Sequence, residues 1–196
     1  AGNCTGQVEC ISASTRYECS AKRAHDCGKQ RLGRGQGASL IVRKTDKAGL
    51  GCFAGDPIST GDLVVEYVGQ VSVMPDPQGI YIMCLEGDVV VDAEARGNQS
   101  RYLNHSCSPN CAVQKWMVDG ELRLGIYAER EIYEGEELTF DYNLQKMFGA
   151  RQKCECGAGA CKGWIGGTPG REAGGAKRAT RKRKGRDCEA QEDAGE

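Results

Sequence analysis

The chain has 196 residues, among them 28 glycines and 12 cysteines, and a formal net charge of −1. A mean hydropathy of −0.52 and the lack of an apolar run near the roughly 20 residues that cross a bilayer lead us to expect no membrane-spanning segment. Glycine, at about 14% of the chain, is at twice its average share, which favours many turns over a helical bundle. The length corresponds to one domain with flanking segments.

The predicted secondary structure is a series of short strands separated by turns. Runs rich in β-branched residues predict strands over 38–45, 63–68, 80–85, 89–91, 122–127 and 137–142. Glycines mark turns over 47–51 and 56–61, and Asp119-Gly120 between alternating apolar residues predicts a type I′ hairpin. One short helix is predicted over 100–106. Because no long 3.6-residue periodicity is present, the fold class is predicted to be mostly β.

The C-terminal residues separate into two blocks of opposite charge. Residues 177–186 hold seven Lys/Arg and no acid, and residues 187–196 hold five acids and no base. From residue 166 onward the sequence is rich in Gly, Ala, Lys and Arg and cannot bury a core. The basic block is interpreted as a nuclear-import signal or a DNA-backbone contact, with a solvated disordered tail as the alternative.

Three cysteines near the end of the predicted domain have metal-ligand spacing. Cys154, Cys156 and Cys161 follow the pattern C-x-C-x4-C, with glycines between them. Cysteines one residue apart are poorly placed to pair with each other, but both can reach one ion. Tetrahedral zinc takes four ligands, so a fourth must come from elsewhere in the chain. Zinc is favoured here, and a disulfide framework of the kind found in secreted domains is the alternative.

A second, looser group of cysteines lies at the N-terminus: Cys4, Cys10, Cys19 and Cys27. The segment around them has few apolar residues, so something other than a core must order it. A structural zinc site with four thiolates is predicted. His25 is an alternative fourth ligand.

Two further segments are polar where the pattern is otherwise apolar: 101–111 (RYLNHSCSPNC) and 137–142 (ELTFDY). From the residues alone, the Asn-His-Ser run is either a buried hydrogen-bonded network or a ligand site. A tyrosine such as Tyr142 is by itself most often a core aromatic with a hydrogen-bonded hydroxyl.

Taken together, six segments resemble the SET-domain protein lysine methyltransferases, in the order of that family. They are GLG at 49–51, EYVG at 66–69, DA at 92–93, the runs at 101–111 and 137–142, and the C-x-C-x4-C cluster with Trp164. Residues 4–37 also resemble the cysteine-rich associated-with-SET segment of the NSD and Ash-type nuclear enzymes.

The resemblance implies a fold of several short curved sheets with a pseudoknot-like C-terminal segment. It divides the chain into an associated-with-SET zinc segment (1–37), a SET domain (38–145), a post-SET zinc segment (146–166) and a disordered tail (167–196). Cys107 would be the missing fourth zinc ligand beside Cys154, Cys156 and Cys161. With the N-terminal group, about two zinc ions are expected.

The resemblance also implies S-adenosylmethionine as cofactor. The residues that would bind it are Lys47, Ala48, Gly49, Leu50 and Gly51 around its methionine end, Asn104 and His105 at the adenine and ribose, Gly79, Ile80 and Tyr81 along a further strand, and Gln152 and Trp164 covering the adenine.

For the chemistry, the resemblance implies Tyr142 as the catalytic tyrosine and Tyr81 as the second wall of the lysine channel. Phe140 stands at the family's Phe/Tyr switch position, where the missing hydroxyl favours di- or trimethylation. The subfamily typically methylates lysine 36 of histone H3. The alternatives are lysine 4 of histone H3, a non-histone protein, or a catalytically silent SET module that only binds. We expect the protein to be a monomer located in the nucleus, on chromosomes. Its expected partner is the histone H3 tail or the nucleosome.

Overall fold

The structure is a computed structural model that describes residues 15–18, 30–46, 49–73, 81–142 and 152–166. Strands predominate, and the one helix among these residues is a short 3₁₀ helix, Gln99–Tyr102. The prediction of a mostly β fold is therefore confirmed. Within the described part of the chain, no helix is long and apolar enough to span a membrane.

The strands form five small sheets instead of one large one. In chain order they are β1 (Leu40–Lys44), β2 (Leu50–Ala54), β3 (Leu63–Tyr67), β4 (Gln70–Val73), β5 (Ile82–Glu86), β6 (Val89–Asp92), β7 (Asn104–His105), β8 (Cys111–Val118), β9 (Glu121–Ala128), β10 (Thr139–Phe140), β11 (Gln152–Lys153) and β12 (Trp164–Ile165). The sheet orders are β1-β2, β3-β9-β8, β4-β6-β5, β10-β7 and β11-β12. All the pairings are antiparallel except β7 with β10.

The longest ladder is the β8–β9 hairpin, which confirms the predicted turn. Asp119 and Gly120 have φ values of 49° and 90°. Positive φ at both central residues is the signature of a type I′ turn, whose twist matches that of the flanking strands. The register then runs without interruption from Val118↔Glu121 to Cys111↔Ala128.

The core lies between β2, β3, β9 and the segment that leads into β10. Cys52, Val64 and Ile126 are fully buried. Burial raises the pKa of the Cys52 thiol to about 11 and that of Cys111 to about 12. These two cysteines are therefore protonated, small apolar core residues at neutral pH.

Two predicted elements are wrong in extent. The helix predicted over 100–106 is a 3₁₀ helix that ends at Tyr102, and β7 follows it. The strand predicted over 137–142 contains only the two residues of β10. Its backbone is hydrogen-bonded to several different groups: Leu138 N–H donates to Cys52 O, Thr139 N–H to Asn110 Oδ1 and Ser106 N–H to Phe140 O. Because successive residues of 137–142 are hydrogen-bonded to different segments, these residues cannot form one regular ladder with a single strand.

Candidate active site and metal centre

The site begins at the parallel pairing of β7 with β10. Thr139 lies opposite Asn104, and Phe140 lies opposite His105. A parallel pair requires a long connection between its strands, and here the β8–β9 hairpin lies within it. The pairing brings the polar run at 101–111 and the run at 137–142 to one place, although they are far apart in the chain.

Tyr142, which follows β10 after Asp141, is held by two hydrogen bonds to the other segment. Its hydroxyl donates to Leu103 O at 2.8 Å, and its backbone N–H donates to His105 Nδ1 at 3.2 Å. Its ring lies against Phe140, with the two centroids 4.8 Å apart. Burial, followed by the nearby Tyr81 and Glu137, raises the pKa of Tyr142 well above its ordinary value. The phenol is therefore neutral at physiological pH and can act as a hydrogen-bonding group but not as an anionic base.

Tyr81 is fixed at its backbone and at its ring by residues that sequence reasoning did not single out. Tyr67 Oη and Ala93 N–H both donate to Tyr81 O, at 2.8 Å and 2.9 Å. The guanidinium carbon of Arg101 lies 4.4 Å from the centroid of the Tyr81 ring, within cation–π range. Tyr67 lies in the EYVG segment (66–69) and Arg101 in the run at 101–111. Both segments resemble the family, and this resemblance was the only sign in the sequence that the two residues belong to the site.

Asn104 ties β2 to the segment before β10. Its Nδ2 donates to Leu50 O at 3.2 Å and to Glu137 Oε1 at 2.8 Å. A Cβ added at Gly51 would lie only 2.7 Å from Glu137 Oε1 and 3.2 Å from Asn104 Nδ2. Glycine at 51 is therefore required for this close approach. Gly49 has a φ of +77°, which an L side chain rarely adopts.

Both imidazole nitrogens of His105 are engaged. Nδ1 accepts the Tyr142 N–H, and Nε2 lies 3.4 Å from Cys107 Sγ. Because Nδ1 is an acceptor, the proton of the neutral ring is on Nε2. Burial lowers the pKa of His105, with Asp141 acting in the opposite direction. The Nδ1 atom thus faces the Tyr142 amide and, 3.6 Å away, Asp141 Oδ1, whereas Nε2 faces a cysteine.

The structure brings Cys107, Cys154, Cys156 and Cys161 together. Their four sulfurs lie within 4.8 Å of one another, and Cys107 Sγ is 3.8 Å from Cys154 Sγ. Four thiolates 2.3 Å from one tetrahedral zinc would be separated by roughly 3.8 Å. The residues therefore fit a closed structural zinc site.

The pKa values of two of these thiols are shifted in opposite directions. Burial raises the pKa of Cys154 to about 12. At Cys156 burial acts in the same direction, but hydrogen bonds from the Cys107 and Ala158 backbone and from neighbouring thiols outweigh it and lower its pKa to about 6. Four sulfurs so close together cannot all be thiolates without a cation, which a divalent metal supplies.

The segment that carries the cluster is also attached to the site by other bonds. Lys162 N–H donates to Cys107 Sγ at 3.4 Å, and Lys162 Nζ lies 3.0 Å from Asp141 Oδ2. The β11–β12 pair sets Lys153 opposite Trp164. Trp164 is 48% exposed and Leu50 is 47% exposed. Gln152 is exposed as well.

Several residues predicted for the site lie outside the described residues. They are Lys47, Ala48, Gly79 and Ile80 of the cofactor set, and Cys4, Cys10, Cys19 and Cys27 of the second metal group. The basic block 177–186 lies outside them as well.

Comparison with known proteins identifies the class of domain. Residues 49–143 match the family model described as SET domain. That range contains β7, β10, Asn104, His105 and Tyr142. The chain therefore contains a SET domain over these residues.

Among curated proteins, the chain is similar to several histone-lysine N-methyltransferases. The H3 lysine-36 specific enzyme of Gibberella zeae is 41% identical over 179 residues, which is 84% of this chain and 19% of that protein. The corresponding enzyme of Chaetomium globosum is 40% identical over 179 residues, which is 84% of this chain and 20% of that protein. The enzyme ASHH2 of Arabidopsis thaliana is 36% identical over 177 residues, which is 82% of this chain and 10% of that protein. The chain thus spans at most about a fifth of the length of these relatives.

Proposed function

We propose that the chain is an S-adenosylmethionine-dependent protein lysine N-methyltransferase whose substrate is lysine 36 of histone H3. The observation that carries the proposal is the position of Tyr142. Its neutral hydroxyl donates to Leu103 O, and its ring lies 4.8 Å from the ring of Phe140 and 5.4 Å from that of His105. The similarity to enzymes named H3 lysine-36 specific supports the choice of substrate.

The cofactor would be held, among the described residues, by Gly49, Leu50, Gly51, Tyr81, Asn104, His105, Gln152 and Trp164. When bound, it supplies a methyl group on a sulfonium sulfur. The fit rests on two features of the chain. Around Gly51 the backbone comes close to Asn104 with no space for a side chain. The indole of Trp164 offers a half-exposed flat face of the kind on which a purine stacks.

The substrate lysine must lose its proton before it can attack. A free ammonium has a pKa of about 10.4 and carries no lone pair. Enclosure among Tyr81, Phe140 and Tyr142 removes water from the amine and lowers that pKa. Because the Tyr142 hydroxyl gives its own proton to Leu103 O, its oxygen accepts an N–H of the amine and directs the nitrogen lone pair along the line of attack. The raised pKa of Tyr142 argues against a role as general base.

Phe140 sets the degree of methylation in this proposal. Its side chain is buried against Tyr142 and carries no hydroxyl that would hold a water beside the amine. The space left accommodates an amine that already carries a methyl group. We therefore propose di- or trimethylation as the outcome.

Zinc in the Cys107–Cys154–Cys156–Cys161 site would hold the post-SET segment onto the loop after β7. A second zinc among the N-terminal cysteines completes the proposed count of about two. The proposed partners are the histone H3 tail or nucleosome, with 177–186 as a DNA contact. The proposed location is the nucleus, on chromosomes, and the proposed oligomeric state is a monomer.

The test is transfer of a labelled methyl group from S-adenosylmethionine to reconstituted nucleosomes. Matched nucleosomes carry arginine in place of lysine 36 or lysine 4 of histone H3, and Tyr142→Phe is the enzyme control. We expect labelling that is lost with the lysine-36 change only, and a loss of about 10²-fold or more in kcat for Tyr142→Phe with cofactor binding retained. Labelling lost with the lysine-4 change, or insensitive to both, would assign another substrate. Cofactor binding without any labelling would identify a silent binding module.

A further inference from the structure

His105 joins the two halves of the candidate site through one ring. Its Nδ1 accepts the backbone N–H of Tyr142 at 3.2 Å, and its Nε2 lies 3.4 Å from the sulfur of Cys107. The side chain is only 6% exposed. The ring also meets that of Tyr142 edge-on, with the centroids 5.4 Å apart. A single side chain therefore contacts both the tyrosine and a member of the cysteine cluster.

The direction of each contact follows from the chemistry of the ring. An N–H donor at Tyr142 requires a lone pair at Nδ1, so the Nε2 atom carries the proton and points it at Cys107 Sγ. A sulfur that is ionised by a metal is a far better acceptor than a neutral thiol. The contact between His105 and Cys107 is thus strongest when the cluster holds its cation.

We propose that His105 is a positioning residue that couples metal binding at the cysteine cluster to the placement of Tyr142. It fixes the Tyr142 backbone through Nδ1 and is itself oriented by the metal-bound Cys107 through Nε2. The inference rests on the proposed function, and it adds a role for the imidazole that is distinct from lining the cofactor pocket. With both nitrogens used within the protein, the side chain has no ring nitrogen left to bind the cofactor.

A second bond between the same two parts makes the coupling cooperative. Lys162, next to Cys161 in the chain, forms an ion pair with Asp141, next to Tyr142, at 3.0 Å. Loss of the metal would free both the sulfur that orients His105 and the segment that carries Lys162. The position of Tyr142 would then no longer be fixed by His105 or by the Lys162–Asp141 ion pair beside it.

Two substitutions separate the two contacts of His105. His105→Asn retains an acceptor where Nδ1 lies but cannot reach Cys107. His105→Gln places a donor near the Nε2 position but gives up the acceptor for Tyr142. Zinc release to a colorimetric chelator reports on the Cys107 contact, and kcat on nucleosomes, with KM for the cofactor, reports on the Tyr142 contact.

We expect the two variants to rank in opposite order in the two assays. His105→Asn should release zinc about tenfold faster than the unmodified protein. Its kcat should fall less than that of His105→Gln. His105→Gln loses the larger share of kcat, by about tenfold to a hundredfold, with KM for the cofactor little changed, and retains zinc better than the Asn variant. Parallel losses in both assays, as expected of a merely structural residue, would overturn the proposal.

A measurement on the unmodified chain covers the case in which both variants fail to fold. The chain has only two histidines, so the imidazole ¹⁵N resonances are simple to assign. The proposal requires a neutral His105 with its proton on Nε2 in the zinc-loaded protein, and a shift of the His105 ring and the Tyr142 amide when zinc is removed. An unchanged Tyr142 amide would refute the coupling. If the chain methylates no lysine, the proposed function fails, but the zinc-release and NMR measurements still decide whether the coupling exists.

Discussion

The β8–β9 hairpin and the β7–β10 site are stabilised by different kinds of interaction. In the hairpin, eight successive residue pairs follow one turn, and the residues of these pairs are close in the chain. In the site, two strands of two residues each are held by hydrogen bonds between side chains and backbone, from Asn104, Asn110, His105 and Tyr142. Regular pairing stabilises the scaffold, whereas the site depends on individual polar side chains. Single substitutions should therefore affect activity and stability differently in the two regions.

The largest expected effect is the loss of the cysteine cluster. Cys107→Ser removes a ligand from a four-sulfur set, so we expect zinc content to fall and methyl transfer to become undetectable. Hydrogen exchange in β8 and β9 should stay slow, because the hairpin shares no ligand with the cluster. Ser108→Ala, at an exposed neighbouring position, is the control. Full activity in a zinc-free Cys107→Ser protein would contradict this view of the site.

The next effect is expected at Gly51. A Cβ there would meet Thr45 Cγ2 at 2.5 Å and Glu137 Oε1 at 2.7 Å. Gly51→Ala should therefore destabilise the protein by about 1–3 kcal/mol and weaken cofactor binding, because Glu137 must move away from Asn104. Thermal unfolding and calorimetric titration measure the two effects. Gly159→Ala, where a Cβ meets nothing within 4 Å, should leave both unchanged.

A smaller effect is expected at Tyr67, whose hydroxyl donates to the backbone carbonyl of Tyr81. Tyr67→Phe removes the hydrogen bond to Tyr81 O but leaves the one from Ala93 N–H. We expect a loss of about 1 kcal/mol in stability and a rise of a few-fold in KM for the peptide. Tyr133→Phe, at an exposed tyrosine, is the matched control. Equal behaviour of the two variants would mean that Tyr81 does not depend on Tyr67.

The smallest effect on activity is expected in the hairpin turn. Gly120 has a φ of +90°, so Gly120→Ala should cost about 1–2 kcal/mol of stability without changing kcat. Gly120→Asn should recover part of that loss, because asparagine tolerates positive φ. A large loss of kcat in a folded Gly120→Ala protein would show that the two regions are not independent.

Sequence reasoning predicted the hairpin well because its signals are local. Asp119-Gly120 and the alternation around it define both the turn and the register, and the strand predicted over 122–127 lies within β9 (Glu121–Ala128). Strands β2, β4, β7, β11 and β12 were not predicted. These are short and contain glycine, few apolar residues or mixed polarity, so their pairing is set by tertiary partners and not by intrinsic propensity.

The site was accessible to sequence reasoning only through the family resemblance. The spacing of Cys154, Cys156 and Cys161 indicated a missing ligand, but nothing local in the sequence identified Cys107. The same applies to the hydrogen bond of Tyr67 and the cation–π contact of Arg101 with Tyr81, and to the ion pair of Asp141 with Lys162, which join different segments of the chain. Local residue patterns predict turns and the buried face of a strand. The contact between the polar runs at 101–111 and 137–142 depends instead on the topology of the fold.

The parallel pairing of β7 with β10 has a consequence for how the molecule assembles. Contacts separated by more than thirty residues close more slowly than a hairpin, because more chain entropy is lost before they form. The β8–β9 hairpin, which lies inside that loop, can form early, whereas the Asn104–Thr139 and His105–Phe140 pairs must wait until residues beyond 138 are available. During synthesis on the ribosome, a chain that has emerged only as far as β9 would thus possess its scaffold but not the β7–β10 site, which would form only in the final stage of folding.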